Sequence, residues 1–299
     1  MQTSFSPPAR FLNQFSRREA VSLRLPAEHG AWGILLVPFL CAAAVAGNWN
    51  LPLLLCAVCV LSLFLLCGSI EAHRAGGARW TIAFAPVHLT LIAVAGGMGA
   101  ALVLGNGRWQ LPLVGVAAVV LYFLQRALVA GHAASRSEKR SLAAELLGVS
   151  LLTLTAPAAW IASRGAVTKT AAELWLLCLL FFAGGVLYVK YRVRSILAHR
   201  KFSSLSERLG FVWPVLVYHL LLAAFLIVWV MLQLRASARS TSALRAAFLG
   251  LAFAPAVLRA SALVFQLGRR FAIPRLGWTE IAHSAVFTAL VILAYRLMA

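Results

Sequence analysis

Aspartate is absent from this 299-residue chain; its eight acids are all glutamate, set against 27 Lys and Arg and a formal net charge of +19. Charge of any kind is scarce, at 12% of residues where a soluble domain carries about a quarter. The shortage of charge argues against a soluble globular domain, and the lack of Asp removes the usual ligands for magnesium, which prefers carboxylate oxygen. Cysteine is sparse too. Cys41, Cys56, Cys59, Cys67 and Cys178 all sit inside apolar runs, and the CxxC spacing of Cys56 and Cys59 has no second pair or nearby His, so it reads as packing rather than as zinc or redox chemistry. The first 24 residues lack an apolar core, hold Pro7, Pro8, Arg10, Arg17, Arg18 and Arg24, and do not resemble a cleavable signal.

What the chain does have is apolar sequence, 62% of its residues. Runs long enough to cross a hydrocarbon core of about 30 Å recur along it, near 31–47, 51–68, 81–104, 111–131, 141–162, 171–189, 211–234, 244–265 and 280–297. The expected fold class is all-α: a polytopic bundle of about nine transmembrane helices. A cytoplasmic tail over 1–24 would precede a single membrane domain over 25–299. The "GNWN" at 47–50 predicts a tight turn between the first two spans. Lys and Arg alternate between the gaps. Eighteen fall on the side of the N-terminus, seven on the other, and Arg126 and Arg259 lie within spans. The positive-inside rule then predicts an N-terminus in the cytoplasm, a C-terminus outside and residence in the bacterial cytoplasmic (inner) membrane. The same distribution makes membrane lipid, not nucleic acid, the expected partner of the basic residues. The gaps show no convincing internal repeat.

Charges inside spans cost roughly 2.5–3.5 kcal/mol at the helix centre and normally face protein. The candidates are Glu28, Arg126, Glu145, Arg259 and Glu280, with His29, His88, His219 and His283. Most fall near the cytoplasmic ends of their spans, which predicts one polar cavity opening to that side; separate snorkelling of each side chain is the alternative. Glu28 and His29, at the mouth of the first span, are the candidate catalytic pair; helix capping is the plainer role. The clusters Arg136-Lys139-Arg140 and Lys190-Arg192-Arg194 suit an anionic head group. On a continuing helix Lys190 and Arg194 share a face. The candidate substrate-binding residues are therefore Arg126, Lys139, Arg140, Lys190, Arg194 and Arg259. Glu280 and His283 have the Glu-x-x-His spacing of di-iron bundles, which need two such motifs and two further Glu, so no metal site and no cofactor is expected. Pro255 and Pro157 predict breaks in the eighth and fifth spans, the former freeing a carbonyl for Arg259.

The stretch "PAEHGAWGILLVPF" from Pro26 resembles the N-terminal motif of the YwiC-like bacterial membrane proteins, and "RSLAAELLG", "LTAPAAW", "LYVKYRVR" and "RLGWTEIAHS" are similar to later patches of that family. The family has no established activity, so the resemblance implies an integral membrane protein and little more. A more remote resemblance is to the UbiA-type intramembrane prenyltransferases, whose nine helices start from the cytoplasm and whose basic patch after helix four looks like "KRSLAAELLG". It implies a UbiA-like helix arrangement and a lipid or isoprenoid-like ligand. The Asp-rich motifs that hold magnesium in those enzymes correspond to "GSIEAHRAGG" and "YVKYRVRSILAHR" here. Glu71 alone cannot rebuild that site, so a standard magnesium-dependent prenyltransferase is not expected; a metal-independent, prenyltransferase-like transferase is the form an enzyme would take. The leading expectation is a protein that binds a hydrophobic substrate with an anionic head in a cytoplasm-facing cavity. A small-anion transporter or an assembly factor of a membrane complex is the alternative.

Overall fold

A computed structural model describes residues 29–75, 86–133, 142–197, 202–236, 240–267 and 273–297. The tail 1–28, and with it Glu28, and the 134–141 segment holding Lys139 and Arg140 lie outside the described residues, as does the side chain of His29. All described elements are helical. They are α1 (His29–Ala46), α2 (Leu51–Ala75), α3 (Pro86–Ala100), α4 (Leu111–Ala133), α5 (Leu142–Thr153), α6 (Thr155–Arg164), α7 (Lys169–Leu197), α8 (Leu205–Ala236), α9 (Ser240–Gln266) and α10 (Ile273–Arg296).

Two of these boundaries have plain local causes. A π-helical turn, Ala101–Gly105, continues α3 to its end. Pro157 has no N–H to offer the Thr153 carbonyl, so the fifth span breaks at Leu154 into α5 and α6, as its sequence predicts. Counting α5–α6 as one span and α3 with its π turn as another gives nine passes among the described residues. Eight are long and apolar enough to cross a membrane, and α1 is a shorter apolar helix of 18 residues. The all-α, nine-span expectation therefore holds. Short connections make successive spans antiparallel. The side on which α1 begins is called the proximal face below; α2, α4, α7 and α9 end there, and α3, α5, α8 and α10 start there.

Two helices, α1 and α7, form the middle of the bundle. α1 packs on α5, α6, α7 and α10, and α7 touches all of those and α8 and α9 as well. At the α1–α6 contact small side chains meet: Ala42, Ala43 and Ala46 against Ala156, Ala159 and Ala162, every one fully buried. Lipid tails are as apolar as Leu, so helices in a membrane gain by close van der Waals fit instead of by escape from water, and alanine permits that approach. The Thr155 hydroxyl donates to the Leu35 carbonyl at 2.8 Å across the same contact. Peripheral α4 buries none of its span and presents Leu113, Val116, Val119, Val120, Phe123 and Leu124 outward, as a lipid-facing helix should.

The distal ends are closed by backbone capping. Gly47 (φ +70°) and Gly165 (φ +81°) terminate α1 and α6 in the left-handed region that only glycine enters without strain. An arginine from another element covers each end: Arg296 donates to the Ala44 carbonyl at 2.8 Å and Arg108 to the Ala162 carbonyl at 3.1 Å. Both cations sit where the helix dipole is negative. Asn48 and Asn50 donate to the Ser163 carbonyl at 3.1 and 2.9 Å, tying the "GNWN" turn to the end of α6.

Candidate functional site

Most of the described intramembrane charges are paired with one of opposite sign, and pairing decides what each can do. On the proximal half of the bundle there are three pairs. Arg126 of α4 meets Glu71 of α2 at 3.1 Å, with the two side chains 33% and 44% exposed. Lys190 of α7 meets Glu145 of α5 at 2.7 Å. Arg259 of α9 meets Glu280 of α10. The first is an exposed pair at the rim. Surface pairs contribute little to stability. The structure thus places Arg126, Lys190 and Arg259 at one membrane face but holds each against its own glutamate rather than in one cationic cluster. Arg194 is exposed and lies over the Tyr191 ring at 5.7 Å. His88 is buried, with Nε2 3.0 Å from the Ser69 hydroxyl, joining α3 to α2.

The Arg259–Glu280 pair lies at the floor of a partly open cleft of about 200 Å³ between α7, α9 and α10, lined by Tyr188, Arg192, Arg259, Gln266, Leu276, Thr279, Glu280 and His283. Seven residues separate Arg259 from Gln266 at the end of α9, and seven separate Glu280 from the start of α10. At 1.5 Å per residue the floor lies about 10 Å inside the helix ends.

Each wall has a local reason. Arg259 extends across the Tyr188 ring at 4.8 Å, a cation–π contact that fixes the guanidinium plane. Gly185 of α7 makes room: a Cβ there would come within 3.4 Å of Glu280 Oε2 and 3.5 Å of Arg259 Nη2. Arg192 is buried and donates through Nη1 to the Gln266 carbonyl, satisfying the last turn of α9. Tyr188 donates its hydroxyl to the Gln266 side-chain oxygen at 3.3 Å. His283, also on the cleft wall, donates through Nδ1 to the Thr279 carbonyl at 2.5 Å.

One group in the cleft is not satisfied. Arg259 is 9% exposed, Nη1 serves Glu280, and both Nε and Nη2 are buried without a hydrogen-bond partner. An arginine with two orphaned nitrogens beside a cleft is a site ready to donate to an oxygen of a ligand. Among the described residues, no three His, Cys or Glu side chains gather as metal ligands.

Of the residues expected from sequence, Arg259 lies in this cleft, joined by Glu280 and His283. Arg126, Lys190 and Arg194 lie outside its lining. Arg259 was expected to meet a carbonyl freed by Pro255; it meets Glu280 instead. Sequence reasoning missed Tyr188, Gln266 and Thr279. A helical-wheel signal existed for the first, because Tyr188 and Arg192 are four residues apart and share a face.

A second polar knot sits at the distal face and was not anticipated. Glu173 of α7 accepts from Arg245 of α9 at 2.7 Å and from the Tyr295 hydroxyl of α10 at 2.7 Å, with Lys169 3.6 Å away. The Arg245 guanidinium lies 4.1 Å from the Tyr295 ring centroid.

Nine apolar spans with charges paired inside the bundle define a polytopic α-helical membrane protein. The family model described as YwiC-like protein matches residues 25–160, α1 through the middle of α6, and over that segment the chain is similar to that family. The cleft is built from α7, α9 and α10, beyond the matched segment. No curated protein and no solved structure matches the chain.

Proposed function

We propose that the protein binds an amphiphile with an anionic head group, the head seated on Arg259 in the proximal cleft and the tail along the lipid-facing surfaces of α9 and α10. The observation that carries the reading is the buried Arg259 guanidinium with two unpartnered nitrogens in a cleft near the proximal ends of α9 and α10. The charges agree. Arg192 and Arg259 against Glu280 leave the cleft one positive charge in excess, which matches a phosphodiester. The surroundings agree as well: Leu258, Phe265, Trp278 and Ile281 are exposed on the outer surfaces of α9 and α10, an apolar bed for a tail with Trp278 at the interfacial level. The proximal face is the cytoplasmic one on this reading, because the Lys and Arg excess lies there. The ligand is a membrane lipid or isoprenoid-like molecule, and a transfer reaction on it is not required.

The test is a thermal-unfolding titration of the purified chain with dioctanoyl-phosphatidylglycerol, beside dioctanoyl-phosphatidylcholine. A ligand that binds only the folded state raises the transition by mass action. The anionic lipid raises it and the zwitterionic one does not. Equal effects of both lipids, or none from either, would overturn the proposal.

A further inference from the structure

The two polar knots are built from the same parts, at opposite ends of the same three helices. Along α7 the order is Glu173, Phe181, Tyr188; along α10 it is Glu280, Phe287, Tyr295. The spacings are eight and seven residues in the first, seven and eight in the second. Because α7 and α10 are antiparallel, Glu173 accepts from the Tyr295 hydroxyl at the distal face, and Glu280 lines the cleft with Tyr188 at the proximal face, where the Tyr188 hydroxyl serves Gln266 instead. α9 supplies an arginine to each, Arg245 and Arg259. In both knots that arginine holds a glutamate and covers a tyrosine ring. Midway, Phe181 and Phe287 stack with centroids 4.1 Å apart and planes 16° from parallel, and Phe253 of α9 abuts both at 6.3 and 5.4 Å. The arrangement has a local two-fold character, centred on the Phe181–Phe287 stack.

Such a symmetry is a known way to build a pathway with equivalent access from either face. We infer that α7, α9 and α10 form a two-station path that passes a phosphate oxyanion between the membrane faces, the Phe cluster closing it at the middle; this extends the proximal-cleft reading by a second site. At each station the resident carboxylate stands where the travelling oxyanion would bind. Glu173 takes one hydrogen bond from a guanidinium and one from a tyrosine hydroxyl, the pair of donors a phosphate oxygen would use. Orphaned guanidinium nitrogens mark both stations: Nε and Nη2 of Arg259, and Nε of Arg245. The fourteen residues from Arg245 to Arg259 span about 21 Å, most of a hydrocarbon core. The travelling group is either a lipid head group, its tail remaining in the bilayer, or free phosphate.

The full chain reconstituted in phosphatidylcholine vesicles tests this in two arms. In one, trace NBD-labelled phosphatidylglycerol is bleached from outside with dithionite, which reaches inner-leaflet dye only if the head group crosses. In the other, radiolabelled inorganic phosphate is trapped and its release followed. Movement in the first arm identifies a lipid head group, and movement in the second a free anion. The Glu173→Gln/Arg245→Gln variant, which exchanges the distal ion pair for neutral amides, falls to the protein-free rate. Tyr295→Phe, which keeps the ring, slows movement severalfold and serves if the double variant does not fold. No movement by the wild-type chain in either arm overturns the inference, as does an unchanged rate in a folded double variant or, where only Tyr295→Phe folds, in that variant. Binding of dioctanoyl-phosphatidylglycerol by the same preparation shows separately whether the proximal-cleft reading stands.

Discussion

Glu280→Gln separates the two roles of the cleft, because it should weaken the fold and strengthen the site. Arg259 is 9% exposed and Glu280 25%, so neither charge is well solvated. Removing one member of a fully buried pair costs about 3–5 kcal/mol, since the other charge is left uncompensated. Here the loss is smaller. The Tyr188 ring still lies 4.8 Å from the guanidinium and retains a cation–π term of roughly 0.5–2 kcal/mol. A glutamine oxygen can also accept one hydrogen bond. The expected destabilisation is about 1.5–3 kcal/mol. An anionic head group that docks on Arg259 recovers part of it, because it now replaces a missing partner instead of competing with a resident one. About 1.4 kcal/mol recovered is tenfold in affinity, so dioctanoyl-phosphatidylglycerol should bind roughly ten times more tightly to the variant. Thermal unfolding of both proteins across a lipid titration gives both quantities. A variant that is destabilised but binds the lipid no better, or worse, would refute the idea that carboxylate and ligand share the Arg259 site.

Other substitutions distinguish neighbouring features. Lys190→Ala removes a cation held against Glu145 with side chains only 13% and 22% exposed, and should cost about 1–3 kcal/mol in unfolding experiments, whereas Arg194→Ala, exposed and over Tyr191, should cost almost nothing. Gly47→Ala places a Cβ on a residue at φ +70° and into the Arg296 guanidinium, for an expected loss of about 1–2 kcal/mol, visible as a lowered melting temperature. Arg126→Gln, in the exposed pair with Glu71, should leave both stability and lipid binding within error of wild type.

Much of the architecture is legible in the sequence because a bilayer imposes length. About 20 apolar residues per pass set the span boundaries, Pro157 marks the α5–α6 break, and "GNWN" closes α1 onto α2. What the sequence conceals is which helices meet. Arg126, Lys190 and Arg259 look like three parts of one cationic surface, yet three different glutamates take them, and helix pairing alone decides that. Gln266 and Thr279 carry no sequence mark of a site, and Tyr188 only its four-residue spacing from Arg192. The Glu-Phe-Tyr correspondence of α7 and α10 escapes a search for repeats because its spacings differ by one residue and the residues between them do not match. Antiparallel packing against α9 is what reveals it. The smallest residues are equally silent until packed: Gly185 matters because Glu280 and Arg259 lie within 3.5 Å of where a Cβ would be.

Native mass spectrometry of the gently purified protein tests the central claim most directly. The wild-type chain should retain an anionic amphiphile as a discrete mass adduct, Arg259→Gln should lose it, and Arg126→Gln should keep it. An adduct that survives in Arg259→Gln, or a wild-type protein that carries none even when anionic lipid is supplied, would contradict the account.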